Sequence, residues 1–320
     1  MRRLLVSALL VFVACACWAR SAPAHGSVLV LLSQEKDYYR SCMEGLLETM
    51  GDRRASQSIS SLVLSEGTET AGLVRTLEER NPRVLVTLGT QATQWAVEHG
   101  GALDVCFAMV PSRGALSFAA GGGDPHANMT GVVLQIPLQR QVDLLRSFLP
   151  GMRRIGVIYS EINGPEVERL GSLLDRSGLQ CISSEVSSSK DLSAGLTFLL
   201  RDAVDVLFAL PDPVAYNGAS AKYVLLFSLQ HRIPLVAFSA NYVKGGALMG
   251  FYADPKDIGA QCGAIVNRLL EGSRPAAIPI EFPEKVRLGW NRKVAARLGL
   301  SPKPEMPDSP LPRGIVLEDY

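Results

Sequence analysis

Apolar and polar positions follow two different periods along this chain. Short apolar runs recur at 28–32, 59–64, 84–88, 105–110 and 131–134. Most are too short for a helix and apolar on both faces, as expected of strands buried in a parallel sheet. Between them apolar residues fall three and four apart: Tyr39, Cys42, Met43, Leu46, Leu47 and Met50 in one stretch, Leu73, Val74 and Leu77 in the next. That spacing predicts amphipathic helices, the second ended by Asn81-Pro82. The run 84–88 meets Gly89, and Thr90 is placed to cap a helix carrying Trp95 and Val97.

The pattern then restarts. It predicts helices over 138–149, 164–177, 192–200 and 216–230, and strands over 155–159, 181–186, 206–210 and 235–238. Pro150-Gly151 closes the first of these helices, and Pro211-Asp212-Pro213 halts the third of these strands. Two successive βα-repeating halves imply an α/β fold with two parallel sheets flanked by helices. Further pieces follow at 247–251, 257–271, 278–282, 286–290 and 291–298, more than the second half needs. They are expected to return to the first lobe and then cross again. That gives lobe 1 as 25–136 plus 247–275 and lobe 2 as 137–246 plus 276–300. Residues 301–320, with five prolines, read as an exposed, flexible tail.

The amino-terminal stretch reads as an address. Arg2 and Arg3 precede an apolar run, 4–18, too short to favour a membrane span. Ala22-Pro23-Ala24 supplies a small-x-small cleavage pattern, so 1–24 reads as a signal peptide. An alternative takes Cys15, after Phe12-Val13-Ala14, as the lipid-bearing residue of a membrane-anchored form. Both put the working domain outside the cytoplasm, in the periplasm. The formal charge of +1 falls to −2 without Arg2, Arg3 and Arg20, and no basic block remains, which argues against nucleic acid as a partner. Cys42, Cys106, Cys181 and Cys262 are widely spaced and without a CxxC pair. An oxidising compartment permits disulfides, but Cys106 lies in an apolar strand and Cys262 in a helix, which favours buried free thiols.

Catalytic signatures are missing. His25, His99, His126 and His231 have no metal-ligand spacing, and the chain has no Walker loop, GxSxG or GxGxxG. No metal or cofactor is expected. Polar residues placed just after apolar strands are the recurring feature: Ser33 and Gln34, then Gly89, Thr90 and Gln91, then Ser112 in the first half; Ser160, Asp212, Ser239 and Asn241 in the second. In parallel sheets all such turns share one edge, and two facing edges enclose a cleft. At Gly89 the strand-to-helix turn leaves free N–H groups at a helix start, which favour an anionic group.

Several segments together resemble the bacterial ABC-transporter substrate-binding proteins of the tryptophan- and tyrosine-binding type: VLVTLGTQATQ at 84–94, NMTGV at 128–132, LLRSFLPGMRRIGVIYS at 144–160, residues 231–272, and IPIEFPEKVRLGWNRKVAARLGL at 278–300. The resemblance implies a type I periplasmic-binding fold, with two Rossmann-like lobes joined by three crossovers. It implies a monomer that closes on a small-molecule ligand, an amino acid or similar carboxylate, and delivers it to an ABC permease. By the same resemblance, Gly89, Thr90 and Gln91 would hold a carboxylate and Asp212 would meet an ammonium group. Ser239 and Asn241 would line the second lobe, with Tyr159 and Ser160 beside them. The chain departs from the family pattern at Met109-Val110-Pro111-Ser112, which lacks the usual acid, at Ser160-Glu161, where Asn-Pro is usual, and at Ser239-Ala240-Asn241, where an Asp is usual. A ligand-binding sensory module for a membrane receptor is the alternative use of such a cleft, and a periplasmic enzyme would need a nucleophile–base pair that the sequence does not display.

Overall fold

A computed structural model describes residues 27–51, 58–64, 70–112, 128–301 and 313–320. The expected signal peptide at 1–24, with Cys15, lies outside the described residues, and so does the glycine-rich stretch 121–125, which the sequence marks as a loop. Five strands, β1 (Val28–Leu32), β2 (Ile59–Val63), β3 (Val84–Leu88), β4 (Asp104–Val110) and β5 (Met129–Val133), form a wholly parallel sheet in the order β2-β1-β3-β4-β5. The apolar runs of β1 and β3 are buried throughout because helices cover both faces. On one face Val28, Val30, Leu32, Val84, Val86 and Leu88 pack on helix α1 (Asp37–Met50). On the other, Leu29, Leu31 and Leu85 meet α2 (Thr70–Arg80) and α3 (Thr90–His99).

The second sheet joins β6 (Arg154–Tyr159), β7 (Gln180–Glu185), β8 (Val206–Phe208), β9 (Leu235–Ala237), β10 (Met249–Tyr252), β11 (Val286–Trp290) and β12 (Ile315–Asp319), in the order β12-β11-β10-β9-β8-β6-β7. Its pairs are parallel except β10 with β11. Between these strands run α4 (Leu138–Phe148), α5 (Gly164–Arg176), α6 (Leu192–Arg201), α7 (Gly218–His231) and α8 (Ala240–Gly245). After β10 come α9 (Pro255–Leu270) and, after β11, α10 (Arg292–Leu298).

Three expected groupings are corrected. Residues 247–275 do not travel together: β10 extends the second sheet beside β9, and only the helix after it, α9, lies against α1 of the first lobe. Residues 278–282 return to the first sheet rather than the second, with Glu281 bridged to Val132 and the Thr130 hydroxyl donating to the Ile278 carbonyl at 2.9 Å. Periodicity names an element's type but not the sheet it joins, so neither placement was readable from spacing. The tail reading fails over its last residues. Ile315, Val316 and Leu317 supply an apolar, β-branched run, and β12 pairs in parallel with β11 from Val286↔Ile315 to Trp290↔Asp319. An Arg292–Asp319 ion pair and a Tyr252–Glu318–Tyr320 hydrogen-bond cluster hold it there. Residues 302–312 are outside the described residues.

The α1–α9 crossing depends on glycine. A Cβ at Gly45 would overlap the Lys256 carbonyl, and one at Gly259 would overlap the Cys42 carbonyl. The backbones therefore meet more closely than any side chain permits, and Cys42, Leu46, Ile258 and Cys262 interlock around them.

Three crossovers join the lobes, at 134–137, 253–254 and 283–285. The first leaves the carboxyl end of β5, the second the carboxyl end of β10, and the third enters β11 beside Tyr252. The hinge thus lies at the edge where the parallel strands of both sheets end. Side chains lace its straps together. The Arg140 guanidinium donates to the carbonyls of Pro283 and Arg313 at 3.2 and 2.9 Å. Gln261 donates to Glu281 and to the Phe282 carbonyl, and accepts from the Glu284 N–H. Asp257 is paired with Lys285 at 2.8 Å and Arg287 at 2.5 Å. Burial pushes the Asp257 carboxyl upward, but the Lys285 and Arg287 cations outweigh it and hold it below the usual carboxylate range. Its contribution is therefore complete above the unfolded value of about 4 and is lost as pH falls through the lowered folded value. Asp257→Asn is expected to flatten the fall in stability below about pH 4 in urea titrations at stepped pH. An unchanged acid limb would remove this ion pair from the pH dependence.

Candidate functional site

The first-lobe site is a turn built by buried threonines. Thr87, in β3, and Thr93, in α3, share a hydroxyl–hydroxyl bond of 2.9 Å, and Thr93 also donates to the Gly89 carbonyl. Gly89 itself has φ +98° and donates its N–H to the Ala108 carbonyl. No Cβ fits there: it would overlap the Tyr39 hydroxyl and lie 2.6 Å from Ser33 Oγ. Gly89, not Thr90, occupies the N-cap position, so Thr90 is the first helical residue. Ser33 is buried at this corner, its N–H on the Leu88 carbonyl and its Oγ accepting the Ala92 N–H at 2.9 Å. Among the described residues the Thr90 and Gln91 N–H groups have no protein partner. Two backbone donors and the Thr90 hydroxyl therefore remain at the positive end of α3.

Aromatic groups missed in the sequence reading frame this turn. Tyr39 is buried against Gly89 and Ser33, and Tyr38, 45% exposed, packs on its ring at 4.4 Å between centroids. Burial, with Tyr38 beside it, pushes the Tyr39 hydroxyl up to about 12, so it stays a neutral donor. Gln34 and Gln91 are exposed at the same corner, and Ser112 is half-buried two residues beyond β4. There the β4–β5 ladder shifts register between Phe107 and Val110, and Met109 takes φ +60°. Such irregularities re-aim chain ends at sheet edges.

In the second lobe Ser160 and Asp212 meet, but Tyr159 does not join them. Alternation along β6 puts the Tyr159 ring on the opposite face, beside Val167, Ser183 and Glu185 in a groove between α5 and β7. Asp212 is 3% exposed, and its carboxylate accepts five bonds. Oδ2 takes the Ser160 N–H, the Ser160 hydroxyl and the Asn163 amide; Oδ1 takes the Val214 and Ala215 N–H groups. Burial raises its pKa, but these donors outweigh burial and hold it below the usual range. Asp212, expected from the resemblance to meet an ammonium group, thus has a carboxylate satisfied from within, which joins the loops after β6 and β8.

One turn further along the edge, Ser239 caps α8 by position without a side-chain bond and is half-buried, while Asn241 is exposed. Phe238, Tyr216 and Tyr242 cluster beside them, with ring centroids 4.9 to 6.3 Å apart. The Tyr242 hydroxyl donates to the Tyr216 carbonyl at 2.9 Å. A recurring aromatic next to the polar turn residue was the available signal at Tyr38, Tyr39 and Phe238.

A family model described as "ABC transporter substrate binding protein" matches residues 35–307. The chain belongs to that family. Members bind small molecules rather than transform them, and the substrate-binding proteins of ABC importers work outside the cytoplasm. Among curated relatives, a tyrosine-binding protein of Clostridioides difficile (strain R20291) is 24% identical over 179 residues, 55% of this chain and 51% of that protein. The match thus spans about half of that relative's length. Among solved structures, a ligand-free, open substrate-binding protein with adhesive properties from Clostridium difficile aligns with a TM-score of 0.73 at 16% identity, covering 92% of this chain and 99% of that one. An ABC domain in complex with L-Trp from Streptococcus pneumonia aligns at 0.62 with 20% identity, covering 87% and 96%. These structures establish the type I periplasmic-binding fold for this substrate-binding protein.

Proposed function

We propose that this chain is the capture component of an ABC importer, binding a small carboxylate-bearing ligand between its lobes and handing it to a membrane permease. The Gly89 turn carries this reading. It offers two free N–H groups and a hydroxyl at a helix start, on the edge where the crossovers bring the second-lobe turns opposite. Ser239 and Asn241 supply neutral polar contacts there, and Tyr38 and Phe238 supply aromatic surface. Ligand that touches both lobes only when they close draws the population toward the closed form. The tryptophan and tyrosine ligands of its relatives make aromatic amino acids the first class to try. With Asp212 satisfied from within, the ammonium group of such a ligand would need another partner, so aromatic and aliphatic acids without an amine belong in the same panel. In this reading the protein acts as a monomer, exported by its leader.

The test is a thermal melt against amino acids, organic acids, nucleosides and sugars, paired with Thr90→Pro. A ligand at 100 times its Kd raises stability by about 2.7 kcal/mol. Proline is tolerated at the first helical position but deletes one of the two free N–H groups and the hydroxyl. It is expected to weaken a carboxylate ligand by about tenfold or more while leaving the melting temperature of the free protein unchanged. Equal affinity in the variant would take the α3 start out of the site.

A further inference from the structure

The core of the first lobe holds a sulfur pair that neither the family assignment nor the proposed ligand site uses. Cys106 lies in β4 and Cys262 midway along the buried face of α9, and both are 0% exposed. Their sulfurs are 3.3 Å apart, and Cys106 Sγ also lies 3.9 Å from the Cys262 carbonyl. Cys42, the third buried thiol of this core, makes no such sulfur contact, and Cys181 belongs to the other lobe. The wide spacing of the cysteines favours free thiols over disulfides without naming a pair, and the fold brings two of them, 156 positions apart, into contact.

We infer that Cys106 and Cys262 are a disulfide-forming pair, oxidised in the mature protein to a bond that ties α9 to the first sheet. Oxidation rests on the extracytoplasmic setting of the family, where thiols meet disulfide-bearing oxidants. The exchange is balanced: one cysteine thiolate attacks the oxidant's disulfide and releases its first thiol. The second cysteine then attacks the mixed disulfide and releases the other. Two protons and two electrons leave the cysteines, and the oxidant departs as two thiols. Because both sulfurs are sealed from solvent in the folded lobe, exchange belongs to the stage before α9 has docked. The hydrogen bond to Cys262 and burial both push the Cys106 thiol up, which disfavours the reactive thiolate once folding is complete.

The bond would have a mechanical role. α9 starts at the second crossover and carries Asp257 and Gln261, which grip the third. β4 ends at Val110, on the edge that carries the Gly89 turn. A Cys106–Cys262 link would therefore fix the hinge anchor to the ligand-facing edge of the same lobe.

The test uses the full chain, denatured and reduced, then refolded in buffer with oxidised glutathione in excess. Acid quenching, alkylation and trypsin place Cys106 in peptide 84–113, Cys262 in 257–268 and Cys42 in 41–53. The expected result is peptide 84–113 joined to 257–268 in non-reducing mass spectra, about 2 Da lighter than the two free thiol peptides together. The linked pair should disappear on reduction. Recovery of both cysteines alkylated or glutathionylated would overturn the inference, and so would a Cys42–Cys262 link. A second readout avoids digestion. Oxidised protein should melt at a higher temperature than protein refolded in reduced glutathione, and Cys106→Ser should abolish the difference. A difference that persists in that variant would place the redox effect elsewhere.

Discussion

Gly259→Ala is expected to cost about 3 kcal/mol or more in urea unfolding, an overpacking penalty at the high end because the obstacle is backbone. The new Cβ would sit on the Cys42 carbonyl, and α1 and α9 would have to separate along their whole buried seam. Helix propensity alone predicts the opposite sign, since alanine is favoured over glycine inside a helix by up to about 1 kcal/mol. Gly171, inside α5, provides the contrast. A Cβ there would lie 3.8 Å from the nearest atom, in ordinary contact. Gly171→Ala should therefore be neutral or stabilising by up to about 1 kcal/mol. If both variants shift stability alike, the close backbone approach is not what joins these helices.

The second large effect is expected at Asp212. Asp212→Ala leaves two loop N–H groups, the Ser160 N–H and hydroxyl, and the Asn163 amide without their acceptor. Buried donors left unpaired cost about 1–3 kcal/mol each, and some of these will recover water, so a total of about 3 kcal/mol is expected. Asn163→Ala removes one partly exposed amide, which donates to Asp212 and to the Pro211 carbonyl, and should cost about 1–2 kcal/mol. Chemical unfolding of both variants measures these losses. The decisive comparison is binding at a temperature where Asp212→Ala is still folded. Stability lost with affinity retained fits a carboxylate that builds the loops. Stability retained with a cationic ligand weakened would return Asp212 to the cleft.

The contrast at Asp212 shows what the sequence could and could not display. Strand and helix types were legible because burial on both faces leaves continuous apolar runs, as in β3, and burial on one face leaves a stripe, as in α1. The Gly89 turn was legible too, since glycine between an apolar strand and a helix announces an unusual backbone. Which acceptor satisfies which donor depends on residues more than 45 positions apart, such as Ser160 and Asp212, and no local pattern encodes that. Tyr159 was grouped with Ser160 because they are adjacent, although the two-residue period of a strand already sends neighbours to opposite faces. The run at 315–317 was masked by the prolines before it. The shared fate of β10 and α9 was inferred from adjacency, whereas the chain changes lobes between them, within 253–254.

That last change of lobe governs the order of assembly. The first sheet needs α9 and residues 278–282 to cover Val30, Val86, Cys106 and Val132. Both segments are made after the second lobe's strands β6 through β10. Until they arrive, α1 has no partner along its glycine seam and part of one face of the sheet stays open to water. Contacts between segments so far apart in sequence form slowly, because chain closure must precede the packing that rewards it. The second lobe from β6 through β10 is continuous in the chain and can condense while the other waits. The lobe that begins the sequence thus waits for segments that lie beyond most of its partner.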